Sequence, residues 1–113
     1  MKLRIEGDSL RVRVSEDELA TFQRDGRLAD KLRFGPGMAL TYCLVRDQST
    51  CDPRADLNGG AIHIRLPADA CDTWCTSDEE AIRGRQAVGG DQQLDIVVEK
   101  DFSWFKRKKQ VGV

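Results

Sequence analysis

Arginines, carboxylates and four thiols are the residues of this chain whose types and spacing could do chemistry. Arg4, Arg11 and Arg13 stand in MKLRIEGDSLRVRVSEDEL, where charged and apolar residues alternate. Three guanidinium forks on one surface suit bidentate contacts to phosphate or carboxylate. Arg65 and Lys100, expected on neighbouring strands, would join them, with Glu6 and Glu99 interleaved. On a solvated face the same charges make cross-strand pairs worth only about 0.2–1 kcal/mol each, which is the plainer reading. Cys71 and Cys75 are four residues apart, a spacing that turns two thiols to one side of a helix, and His63 lies just upstream. Those three are the candidate metal ligands, with Cys43 and Cys51 as further donors to zinc. Against a metal, Cys-x-x-Cys knuckles are absent, and Ala70 and Trp74 share the helical face, the usual company of buried structural cysteine. His63 is the only histidine. With no Gly-x-Ser-x-Gly elbow around any hydroxyl, nucleophilic catalysis is not expected and no catalytic residue is assigned. Gly59-Gly60 and Gly89-Gly90 match neither the lysine-bearing phosphate loop nor the dinucleotide fingerprint, and read as turns.

The elements that must hold these side chains are written locally. Leu3 and Ile5 alternate with Lys2, Arg4 and Glu6, and Leu10, Val12 and Val14 alternate with Arg11 and Arg13, so two strands meet about Gly7-Asp8-Ser9. Ser15 followed by Glu18 three residues on is a capping box. Glu16, Asp17 and Glu18 also oppose the positive end of the helix dipole, and Gly26 supplies a left-handed C-terminus, so a helix is expected over residues 16–25 with Leu19 and Phe22 inward. Leu28 to Phe34 alternates again until Gly35-Pro36-Gly37 stops it. Residues 38–45 are apolar on both faces and read as a central strand, followed by a polar loop over 46–52. Asn58-Gly59-Gly60 sets a hairpin between residues 54–57 and 61–66. Pro67 opens a second helix of about two turns. Ile82 begins a short strand that ends before Gly84, and Leu94, Ile96 and Val98 build the last strand. No internal repeat is read from the sequence.

Length and composition narrow the classes. A chain of 113 residues fits one domain with a single core. The expected boundaries are residues 1–103 for the globular domain and 104–113 for a basic, flexible tail. Eighteen basic and nineteen acidic residues give a net charge of −1, so no global field steers a polyanion and any electrostatic role must be local. Met1 leads directly into an alternating strand, with no signal-like segment, and no run approaches the ~20 apolar residues of a membrane span. A cytoplasmic protein with reduced thiols is the expectation. Trp104 and Phe105 beside Lys106, Arg107, Lys108 and Lys109 combine stacking and charge, but a solubilising tail is the plainer reading, and nucleic acid is not the expected partner.

Taken together, Lys2, Arg4, Ile5, Gly7, Ser9, Arg11, Arg13, Phe34, Gly35, Leu40, Thr41, Tyr42, Trp74, Glu99, Lys100, Asp101 and Phe102 give the chain a resemblance to a small family of uncharacterised bacterial proteins. The likeness spans nearly the whole chain and implies no activity. After Phe102 that pattern leads toward a cysteine and an acidic tail, where this chain has Trp104, Phe105 and a basic run.

The expected fold is α+β: a bent, mostly antiparallel sheet of six to eight strands approaching a half-barrel, with two short helices on one side. The expected core is Leu3, Ile5, Leu10, Val12, Val14, Leu19, Phe22, Leu40, Tyr42, Leu44, Ile62, Ile64, Trp74, Leu94, Ile96 and Val98. The leading functional reading is a non-enzymatic binding module whose basic face, centred on Arg4, Arg11 and Arg13, receives an anionic ligand or protein partner. Two alternatives are set beside it. One is metal-dependent phosphoanhydride hydrolysis on the same face, with Glu6 or Glu99 holding the ion. That arrangement would resemble the interior of triphosphate tunnel enzymes, although the paired glutamates that open those chains are missing. The other is a zinc or thiol structural module. The sequence requires no cofactor and sets no oligomeric state.

Overall fold

A computed structural model describes residues 1–101. The expected basic tail lies outside the described residues. Eight strands and two helices follow in the order β1 (Lys2–Ile5), β2 (Ser9–Val14), α1 (Glu16–Asp25), β3 (Arg27–Gly35), β4 (Met38–Asp47), β5 (Arg54–Asn58), β6 (Ala61–Pro67), α2 (Ala68–Thr76), β7 (Ala81–Gly89) and β8 (Gln92–Lys100). The fold is α+β, as expected, but its strands form two four-stranded sheets, ordered β1-β2-β8-β7 and β3-β4-β6-β5, in place of one bent sheet. Four pairings are antiparallel hairpins, while β2/β8 and β4/β6 are parallel. No described helix is long and apolar enough to cross a membrane.

Each half of the chain runs hairpin, helix, hairpin, and each sheet takes one hairpin from each half. The expectation of no internal repeat is thus corrected: the repeat lies in the architecture, carried by few identical residues. Leu19 and Phe22 follow the N-cap Ser15 by four and seven residues, and the buried Cys71 and Trp74 follow the N-cap Pro67 by the same offsets. The rings of Phe22 and Trp74 meet edge to face, centroids 6.2 Å apart, joining the two helices. Such a contact adds roughly 0.5–1.5 kcal/mol beyond the area it buries. In both long hairpins the register slips by one residue just before the turn, between Arg33 and Gly35 and between Ala87 and Gly89.

The capping box forms as read: the Glu18 amide donates to Ser15 Oγ at 3.2 Å and the Ser15 amide to Glu18 Oε1 at 2.9 Å. Gly26 closes α1 at φ 70°, donating its amide to the Phe22 carbonyl at 2.7 Å. At the far end of α2, Trp74 Nε1 donates to the Glu80 carbonyl at 3.2 Å and Lys100 Nζ to the Ser77 carbonyl at 2.7 Å, so the link into β7 is pinned from two sides.

The core holds Leu10, Val12, Val14, Leu19, Phe22, Leu44, Ile64, Trp74, Ile96 and Val98 from the expected set, and adds Leu66, Cys71 and Ile82. Ile5 is a correction: it ends the short β1 and is 61% exposed. Leu3, Leu40, Tyr42, Ile62 and Leu94 are half-buried. β7 is also longer than expected. Gly84 continues the strand because Pro53 packs against it, and a Cβ there would lie 2.8 Å from the proline Cγ and Cδ. Beside that contact the Gln86 side chain takes both backbone groups of Ala55, accepting at 2.7 Å and donating at 3.0 Å, and so joins the edges of the two sheets. The other pair of edges meets at Met1, whose ammonium contacts Glu18 and lies 3.9 Å from Asp30, and whose carbonyl accepts from Tyr42 Oη at 3.5 Å.

Candidate functional site

Strand alternation divides β2 between two environments. Leu10, Val12 and Val14 enter the core, and Ser9, Arg11 and Arg13 face outward. Register then assembles the outer face. Arg4 lies opposite Arg11 and Lys2 opposite Arg13. Across the parallel ladder Arg11 meets Val97 and Arg13 meets Glu99. On the far side of β8, Val97 meets Arg83 and Asp95 meets Arg85. One row therefore reads Arg4, Arg11, Val97, Arg83 across four strands. Arg11 and Arg83 are two strands apart, roughly 10 Å at the backbone.

The ion pairs on this face are uneven. Glu99 is 6% exposed, and its Oε1 accepts from Arg13 Nε at 2.8 Å and Arg11 Nη1 at 3.3 Å. The hydrogen bond to Glu99, followed by the attraction of its charge, raises the Arg13 pKa. Arg85 Nε donates to Asp95 Oδ1 at 2.9 Å, and Arg4 reaches Glu6 at 3.4 Å. Arg83 has no ion pair among the described residues and is exposed. A depression of about 420 Å³ lies over Val97, walled by Ser9, Arg11, Arg83, Arg85 and Asp95. Its floor is short because valine sits where the neighbouring strands carry guanidinium groups.

Of the sequence-expected set, the structure brings together Arg4, Arg11 and Arg13 and leaves out two members. Lys100 shares its side of β8 with Ile96 and Val98; it is 3% exposed and reaches the α2–β7 link instead. Arg65 belongs to the second sheet, where Nε donates to Asp56 at 2.9 Å and Nη1 lies 3.8 Å from Asp47. Arg83 and Arg85 were missed. Their signal was alternation with Ile82, Gly84 and Gln86, hidden by reading Gly84 as the end of a strand.

The thiols are dispersed. Cys71 is buried beneath α2, its Sγ donates to the Leu66 carbonyl at 3.8 Å, and burial first, then the neighbouring Cys75, pushes its pKa up to about 12. Burial likewise raises the pKa of Cys75 and Cys43. His63 alternates with the buried Ile64 and therefore lies on the opposite face of β6 from the helices, paired in register with Cys43 and Asp56. Cys51 is exposed. Among the described residues no three histidine, cysteine or acidic side chains converge on a metal position.

A larger cavity of about 670 Å³ opens at the start of α2 between Arg46, Cys51, Asp52, Asp69 and Arg83. Its charges are of both signs, and Arg46 is already engaged in a two-pronged pair with Asp72 at 3.0 Å. That pairing lowers the Asp72 pKa, the hydrogen bond contributing most.

Fold and face together define a small two-sheet α+β protein with a basic outer surface on one sheet. The chain belongs to a family of unknown function, DUF7009, whose model matches residues 1–110. No curated protein and no solved structure matches it.

Proposed function

We propose that this protein is a binding module whose first sheet receives an anionic group over Val97, between Arg11 and Arg83. The observation that supports it most is the imbalance of the row: Arg83 is without an acidic partner among the described residues, opposite an Arg11 held in place by Glu99. A phosphate or carboxylate group seated there gains two charge-assisted contacts, each worth about 1.5–3 kcal/mol in favourable geometry. The face is open, so the contacts are screened by salt. Hydrolysis of a phosphoanhydride on the same face would need Glu6 or Glu99 as a metal ligand. Glu6 is exposed and paired with Arg4, and Glu99 Oε1 already accepts from two guanidinium groups, which favours binding over hydrolysis.

Titration calorimetry and thermal shift at low ionic strength, with tripolyphosphate as the probe, test the reading. Binding is expected to raise the melting temperature of the native chain, and Arg83→Ala and Arg11→Ala should each weaken it by roughly tenfold, about 1.4 kcal/mol. Tripolyphosphate that leaves the melting temperature unmoved, or a double variant that binds as the native chain does, would overturn it.

A further inference from the structure

The four hairpin turns all lie at one end of the molecule. β2 and β6 run toward their helices, β8 is parallel to β2 and β4 to β6, so the starts of all four strands share the end opposite α1 and α2. Every large apolar residue exposed among the described residues belongs to that end: Ile5, Leu32, Phe34, Met38, Leu57 and Val88. Four of them are placed in corresponding pairs. Ile5 ends β1 and Leu57 stands one residue before the end of β5, and Phe34 and Val88 occupy the two slipped positions, where a bulge re-aims a side chain. The sheet edges, by contrast, already have company: β5 meets β7 through Gln86, and β1 meets β3 through Met1. What stays open is the rim.

We infer that this rim is where a second copy of the chain docks, rim to rim about a twofold axis. Leu57 is 74%, Phe34 65% and Met38 62% exposed. The six residues together leave on the order of 600 Å² of apolar surface uncovered, at the top of what a monomer usually shows and near the ~800 Å² per partner of a stable interface. Charge fits the same occupant. The turns of the first sheet carry Glu6, Asp8 and Asp91, while the β3–β4 hairpin carries Arg33, which has no ion pair among the described residues. A twofold axis that sets the first sheet of one copy over the second sheet of the other brings acidic turns to Arg33 twice. The net charge of −1 leaves little repulsion between copies. A twofold interface is also the commonest closed arrangement for identical chains.

Sedimentation velocity on the full chain across a dilution series reads the assembly. The native chain is expected to sediment as a dimer that dissociates on dilution. Phe34→Asp and Leu57→Asp, at exposed positions, should each move the dissociation midpoint up by at least about tenfold, with cooperative thermal unfolding retained. Met38→Lys serves if either variant fails to fold. Arg83→Ala should dimerise as the native chain does, which separates this surface from the anion face. A native chain that stays monomeric throughout overturns the inference, as does a dimer that persists in the rim variants. A monomer whose rim takes up an apolar dye would do the same, since its occupant would then be a different partner.

Discussion

Glu18 serves two contacts with one carboxylate. It closes the capping box on the Ser15 amide and meets the Met1 ammonium, so the start of α1 and the start of β1 are tied at one residue. Burial pulls its pKa upward, but the ammonium together with the Ser15 amide and hydroxyl outweighs that and holds the carboxyl below its ordinary value. A lowered folded pKa means the ionised form is the folded form's partner. Its contribution to stability is therefore complete above the ordinary carboxylate pKa and is lost as pH falls through the lowered value. Glu18→Gln is expected to cost about 1 kcal/mol near neutral pH and to flatten the acid limb of the melting curve against pH. An acid limb as steep as the native one would show that the stability lost in acid comes from other carboxylates. The capping box was legible because it depends on residues three apart. The partner of Glu18 across the chain was not.

At the level of the element, alternation was a dependable guide to strands and a poor one to where they end. Residues 46 and 47 extend β4 although they look like loop, because Asp47 has a parallel partner in Pro67 and Arg46 in Leu66. Gly84 looks like a terminator and is an interior strand residue, since its missing Cβ admits Pro53, the residue just before β5. Gly84→Ala is accordingly expected to destabilise the fold by about 1–3 kcal/mol, with the proline ring forced to shift. Urea unfolding measures this. Pro53→Ala combined with Gly84→Ala should recover part of the loss, and a Gly84→Ala chain as stable as the native one would remove the packing argument. The same misreading hid Arg83 and Arg85, so an error about one glycine became an error about the candidate site.

For the whole molecule, the decisive feature is that neither half owns a sheet. β2 needs β8 and β4 needs β6, and those ladders join residues more than eighty and about twenty apart in sequence. Residues 1–52 and 53–113 expressed separately are therefore expected to lack cooperative melting, each with two hairpins whose inner edges are bare. Mixing them should restore it. Circular dichroism read during thermal unfolding distinguishes the cases, and a first fragment that melts cooperatively by itself would show that the halves are independent. The crossed arrangement also explains why the sequence suggested one bent sheet. The hairpins about Gly7-Asp8-Ser9 and Asn58-Gly59-Gly60 are written in local turn chemistry and were read from it, whereas the parallel ladders between hairpins leave no mark at short range.

By itself the sequence determined much of the local plan: the hairpins about Gly7-Asp8-Ser9 and Asn58-Gly59-Gly60, a capped helix, a proline-headed helix and the split of the alternating strands into an apolar and a charged face. These follow from turn chemistry and alternation, which act over a few residues. Only the tertiary structure decided which charged faces coincide. It put Arg83 and Arg85 on the same sheet face as Arg11, across β8 from it, drew Lys100 to the α2–β7 link, left Arg65 on the other sheet and set Ile5 at an open rim. The physical reason is register across β8, where a strand from the end of the chain lies parallel to one from its beginning, and one residue of slip would turn every side chain to the opposite face.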